Sequence, residues 1–215
     1  MTNLSIEEDG VLRAIVEELT NKYDCHTIIL YGSRARGDHT STSDYDVAGI
    51  SSSGKKQRIA RFDSTNNVYH DIFIYAENDF SKLEDEHLNM ADGKVIIEAN
   101  DFGKNLLLKL KFISETPSSV SENEIHARKV WYKKMASRAA VGDLEGKYRH
   151  IWAIFEILED YFIFRGRRYQ GPKKAFQYLA QQDKKTLLLF DKVLKNTNDI
   201  SALETLIERV TENCN

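Results

Sequence analysis

Apolar positions in the first hundred residues switch between two periods. Val11, Leu12, Ile15, Val16 and Leu19 recur at helical spacing behind Ser5-x-x-Glu8, a capping-box pattern, and together they predict a first helix. Short runs rich in β-branched and aromatic residues follow. "TIILY" (27–31), "SDYDVAGI" (43–50) and "NVYHDIFIY" (67–75) predict three strands, the first ending at Gly32. The pattern then predicts a helix from about Asp79 to Leu88, a short strand over "KVIIE" (94–98) and a helix over "GKNLLLKLKFI" (103–113). Such alternation is that of an α/β or α+β sheet domain.

Beyond that point only the helical period remains. One of the two prolines lies in "SETPSSVSENE" (114–124), a polar, serine-rich stretch that reads as a linker and sets domain boundaries of 1–116 and 117–215. Ser121-x-x-Glu124 again resembles a capping box. Tyr148, Ile151, Trp152, Phe155, Leu158 and Phe162 recur at three and four residues and predict one apolar face on a long helix. "RGRRYQGP" breaks that helix, and shorter helical patterns cover about 172–182, 184–195 and 200–212. The second half is therefore expected to be a helical bundle.

Composition adds two constraints. The chain has 215 residues, 41% hydrophobic and 29% charged, as in an ordinary globular protein. No apolar run approaches the roughly 20 residues that span a bilayer. The start, "MTNLSIEEDG", has neither a basic segment nor an apolar core, and Cys25 and Cys214 match no metal spacing or disulfide framework, so a cytoplasmic location is expected. The net charge of −3 conceals an asymmetry. Residues 1–117 hold 13 Lys and Arg against 20 Asp and Glu, a net −7, whereas residues 118–215 hold 17 against 13, a net +4. A polyanion on the acidic half would need metal ions to approach its carboxylates, with cationic side chains of the other half available to help; uneven solvated surface explains the asymmetry equally well.

Chemistry concentrates in "IILYGSRARGDHTSTSDYDVAGI" (28–50). A strand ending in Gly32-Ser33 and turning into a short helix offers free backbone N–H groups to a phosphate, and glycine lets the backbone approach closely. Asp44 and Asp46 lie two apart on a strand and so point to one face. Two carboxylates that close repel each other unless a cation lies between them, and hard oxygen ligands suit Mg²⁺. Asp71, a lone acid within "VYHDIFIY", is costly to bury without a partner; a shared metal would supply one, and a strand-edge position with backbone hydrogen bonds is the plainer alternative. Gly32 and Gly37 bracket four residues as in a Walker phosphate loop, but Asp38-His39 stand where Lys and Ser/Thr are required. The Arg36-Gly37-Asp38 tripeptide would matter for adhesion only on an extracellular surface.

"GSRARG", then "SDYDV", then a strand-borne acid resembles the signature of the DNA polymerase β-like nucleotidyltransferase superfamily, closely over residues 27–75. More loosely, "DGKVIIEANDFG" and "YFIFRGRRYQGPKKAFQYL" are similar to small bacterial nucleotidyltransferases related to aminoglycoside and lincosamide adenylyltransferases. The resemblance implies an α+β protein: a mixed-sheet catalytic domain flanked by helices, then a helical bundle on the acceptor side. It implies transfer of NMP, AMP from ATP in the first instance, to a hydroxyl of a small-molecule acceptor held in a cleft between the halves, with pyrophosphate released. Gly32 and Ser33 would hold the β- and γ-phosphates. Asp44 and Asp46 would hold two Mg²⁺ ions, with Mn²⁺ as a substitute, and Asp71 would share the metal nearest the acceptor and help take its proton. Val47 stands where the family more often has leucine.

Other residues keep two readings. Arg34 and Arg36 would touch the triphosphate or pack on the domain, and Lys173 and Lys174 would reach the phosphates or cap a solvated helix start. Glu124, Asp143 and Glu145 are base candidates by location alone. His70 and His150 would act as base or ligand, or sit as satisfied structural residues, while Trp131, Tyr132 and Trp152 would stack on a nucleobase or pack in the core. Three alternatives to a small-molecule transferase remain: a protein adenylyltransferase of the antitoxin type, a nucleic-acid polymerase or tailing enzyme, and a catalytically silent nucleotide-binding module. The helical half weighs against the first, because minimal antitoxins resemble the sheet domain alone, and residues 118–215 hold no Arg-x4-His pattern of a fused helical RNase toxin domain. The net charge weighs against the second, since tracking a phosphate backbone favours a strong basic excess. The intact set of three acids weighs against the third.

Overall fold

In the computed structural model, which describes residues 9–117 and 120–212, Asp9 opens the first helix. Its carboxylate accepts from the N–H groups of Val11 and Leu12, so that α1 (Gly10–Tyr23) is N-capped by Asp9. The capping box expected at Ser5 and Glu8 lies outside the described residues, as does Cys214. The chain divides into two units, 1–114 and 115–215.

The first unit is a five-stranded mixed sheet. Its strands are β1 (Cys25–Tyr31), β2 (Tyr45–Ser51), β3 (Gln57–Asp63), β4 (Val68–Ala76) and β5 (Lys94–Ile97), in the order β3-β4-β2-β1-β5. Only the β2–β4 pair is parallel. A short helix, α2 (Gly32–Arg36), joins β1 to β2, and α3 (Phe102–Glu115) follows the sheet. Alternation along the strands fills two cores. Ile28, Leu30, Val47 and Ile72 pack with Leu12, Ile15 and Leu19 of α1, while Ile29, Ala48, Ile50 and Tyr75 pack with Leu106 and Leu110 of α3. The α+β class expected from the sequence is the one observed.

Two elements differ from the sequence pattern. β3 was not anticipated: "QRIARFD" is mostly exposed and lies at the sheet edge, where polar side chains and pairing on one side leave little hydrophobic signal. The single helix expected over 79–88 is instead two 3₁₀ helices, Glu77–Phe80 and Asp85–Met90. Side chains break it locally, because the Ala76 N–H donates to Asp79 and the Glu84 N–H donates to His87 Nδ1.

The second unit contains α4 (Glu122–Ala139), α5 (Leu144–Ile163), α6 (Pro172–Gln182), α7 (Lys184–Lys195) and α8 (Ile200–Glu212). Ser121 caps α4 by accepting from the Glu124 N–H at 3.2 Å. The expected single apolar face of α5 is two faces. Ile154, Ile157, Leu158, Tyr161 and Phe162 are buried in the bundle core, whereas Tyr148, Ile151, Trp152 and Phe155 are exposed, Phe155 at 71%. Spacing at three and four residues recorded both stripes without telling them apart. Among the described residues no helix is long and apolar enough to cross a membrane.

Candidate active site

The site begins where β1 runs out. Gly32 turns the chain with φ +69°, a left-handed value that glycine takes without strain. A Cβ at Gly32 would lie 2.0 Å from Asp46 Oδ2 and 2.9 Å from its Cγ. The missing side chain therefore makes room first for the Asp46 carboxylate, a closer approach than the phosphate contact alone would explain. Because α2 has five residues, what it can offer an anion is the unpaired N–H groups of a helix first turn, with little macrodipole behind them. Its end is tied off by the Gly37 and Asp38 N–H groups, which donate to Ser33 O.

The two acids beyond the turn are set by strand register. Tyr31 pairs with Asp46 across β1–β2, and Asp46 pairs with Asp71 across the parallel β2–β4 ladder. Neighbouring strands thus present Asp46 and Asp71 side by side on the face that α3 covers further along. Asp44, just before β2, is exposed. Burial, then the charges of Asp44 and Asp71, push the Asp46 carboxyl up to about 6, against an opposing pull from Arg36 and Arg34. Among the described residues no hydrogen-bond donor reaches the side chain of Asp44 or Asp46.

Arg34 is buried and faces inward. Its Nε and Nη2 donate to Ser43 O at 3.1 and 2.8 Å, Nε also to Asp44 O at 3.2 Å, and its guanidinium stacks 3.7 Å from the Tyr45 ring centre. The Tyr45 hydroxyl in turn donates to Asp9, the cap of α1. Of the two readings open for Arg34, packing on the domain is the one this geometry describes: it clamps the entry to β2 and so places Asp44. Arg36 is half-exposed and lies 3.4 Å from Asp38 and 3.5 Å from Asp92.

Asp71 has a partner the sequence did not suggest. Arg58 of β3 grips it bidentately, Nε to Oδ1 at 2.7 Å and Nη2 to Oδ2 at 2.8 Å. Asp71 is therefore not a strand-edge acid bonded to backbone, and among the described residues no three His, Cys, Asp or Glu side chains group to hold a metal ion. Hard, undonated carboxylate oxygens at Asp44 and Asp46 nonetheless have the chemistry of a divalent-cation site. Arg58 was missed because β3 was missed; the only signal was a polar run after Gly54 with Arg58 and Arg61 in it.

The remaining candidates lie elsewhere. His70, next to Asp71 but on the opposite face, accepts from Arg61 Nε at its Nδ1. In the helical unit Glu124 pairs with Arg128, and Asp143 and Glu145 both pair with Arg138. Lys174 donates to Gln170 at 3.0 Å, and Lys173 is on the first turn of α6. His150 is buried with neither ring nitrogen hydrogen-bonded, and burial lowers its pKa. Tyr132 is wholly buried and donates to Asp160 at 2.7 Å, and Trp131 packs edge-on against Trp152 at 5.4 Å, the packing alternative for these rings.

Comparison with known proteins bears on this geometry. Residues 13–102 match the family model described as Polymerase beta, Nucleotidyltransferase. A crystal structure of a nucleotidyltransferase-like protein from Exiguobacterium sibiricum 255-15 aligns with a TM-score of 0.44 at 13% identity, over 93% of this chain and 73% of that one. No curated protein matches the chain.

Proposed function

Because residues 13–102 match the polymerase β nucleotidyltransferase family model, we propose that the protein transfers NMP, AMP from ATP in the first instance, to a hydroxyl of a small-molecule acceptor. The observation that carries the reading is the pairing of Asp46 with Asp71 across parallel strands, with Asp46 packed into the space left by Gly32. This proximity supports reading the turn as the phosphate-binding element and the acids as the cation-binding one.

In this reading the N–H groups of the turn at Gly32 and Ser33 bind the β- and γ-phosphates, and Arg36, already oriented by Asp38 and Asp92, adds a cationic contact. Asp44 and Asp46 hold divalent metal, with Asp71 as the third ligand. Mg²⁺ or Mn²⁺, when bound, neutralises triphosphate and carboxylate charge and stabilises attacking and leaving oxygens. Asp71 takes the acceptor's proton as its oxygen bonds to the α-phosphorus; the bond from that phosphorus to the bridging oxygen breaks and pyrophosphate leaves. Arg34 positions Asp44 through the Ser43 and Asp44 carbonyls. An antibiotic hydroxyl is the first acceptor class to try.

Incubation with Mg²⁺, each labelled nucleoside triphosphate and pooled acceptors (aminoglycosides, lincosamides, cell extract) tests this. Pyrophosphate release that depends on one pool, and falls at least a hundredfold in Asp46→Asn with the fold retained, is the expected result. Full activity in Asp46→Asn would sink the assignment. One observation favours a second reading, a nucleotide-binding module without turnover: the third acid is engaged by Arg58. Triphosphate binding with no release across all pools would select it.

A further inference from the structure

We propose that Arg58 is a latch on the third carboxylate: its guanidinium grips both oxygens of Asp71, and a divalent metal that takes Asp71 as a ligand competes with that grip. This rests on the metal-binding reading of Asp44, Asp46 and Asp71. The two bonds, at 2.7 and 2.8 Å, form the fork-to-fork pair that suits arginine and carboxylate geometry. Register explains how the pair arises. Ala60 of β3 lies opposite Asp71 and Arg58 lies opposite Phe73, so Arg58 reaches diagonally back along the same face and rests 5.1 Å from the Phe73 ring centre.

Two further facts give the latch its meaning. Asp71 pairs in register with Asp46, whose own carboxylate meets no donor, yet no cluster of three ligating side chains forms among the described residues. The neighbouring strand thus already supplies a positive charge to one member of the acid set. Arg58 is also the more exposed partner, at 58% of its side chain against 27% for Asp71, and comes from the edge strand, so it has open solvent to swing into. An exposed pair of this kind is weak enough to exchange and strong enough to hold the carboxylate in one orientation until a metal arrives. Arg58 is accordingly a positioning residue, acting through Asp71.

Mn²⁺ titration of the full chain, read by the loss of free-ion electron paramagnetic resonance signal and without nucleotide or turnover, tests the latch. Arg58→Gln is expected to bind Mn²⁺ roughly two- to fivefold more tightly than the unaltered protein, the range an exposed ion pair spans. Arg58→Lys, which keeps the charge but loses the fork, should fall between them. In an Asp71→Asn background the Arg58→Gln gain should vanish. A gain that persists there reflects only long-range charge and overturns the latch, as does unchanged or weaker binding in Arg58→Gln. If Mn²⁺ binding is absent, or present but indifferent to Asp46→Asn, the metal-site reading falls and takes the latch with it. If Asp46→Asn abolishes binding while Arg58→Gln changes nothing, the latch alone is wrong. Thermal unfolding of each variant checks that the fold is retained.

Discussion

Asp46 is held at a cost to the folded protein. Its carboxyl is pushed up to about 6, so the folded state binds a proton more readily than the unfolded chain and is favoured at low pH. That contribution is fully present below the ordinary carboxylate range and is lost as pH rises through about 6. In metal-free buffer, Asp46→Asn should therefore stabilise the protein by on the order of 1–2 kcal/mol at pH 7.5, after discounting for partial exposure, and by almost nothing at pH 4. Thermal unfolding at the two values measures it, and equal effects at both would refute the account. Adding Mg²⁺ should reverse the order at pH 7.5, by stabilising the unaltered protein more than the variant. Gly32→Ala should be worse than either, since its methyl would have to occupy the place of Asp46 Oδ2, 2.0 Å away, on a backbone of positive φ.

Within α5 the energetics divide by face. Leu158 is buried and Phe155 is 71% exposed, although both belong to the same three-and-four spacing. Leu158→Ala is expected to cost about 2–5 kcal/mol and Phe155→Ala less than about 0.5 kcal/mol, as read by urea unfolding. Similar costs for both would mean that the second stripe is covered in solution. The buried end of the helix is also pinned by polar contacts: Asp160 accepts from Tyr132 and from Arg128, so a charge that burial disfavours is compensated twice. Spacing alone marked this helix as amphipathic, but which stripe is inside depends on where α4, α7 and α8 pack, and that information is not local.

Separate cores make separate cooperative units. The sheet unit buries its residues around α1 and α3, and the helical unit buries Tyr132, Ile157, Phe190 and Leu203 in a core of its own. Calorimetry of the full chain should resolve two unfolding transitions. Mg²⁺ with a non-hydrolysable triphosphate should raise the midpoint of one and leave the other in place. A single transition, or a shift of both by the same amount, would contradict this picture.

Local chemistry was readable before any packing was known. Residues that must sit close in sequence, such as the Gly32-Ser33 turn and the Asp44-x-Asp46 pair, declare themselves because strand period and glycine's missing Cβ are properties of the chain itself. The long helical repeats of the second half declared themselves for the same reason. Contacts between strands did not. The Asp46–Asp71 register and the grip of Arg58 on Asp71 join residues brought together by sheet order, and the inward turn of Arg34 onto Tyr45 is set by how α2 packs on β2. An exposed edge strand such as β3 carries almost no hydrophobic pattern, so its pairing, and with it the partner of the third acid, is decided only when the sheet assembles.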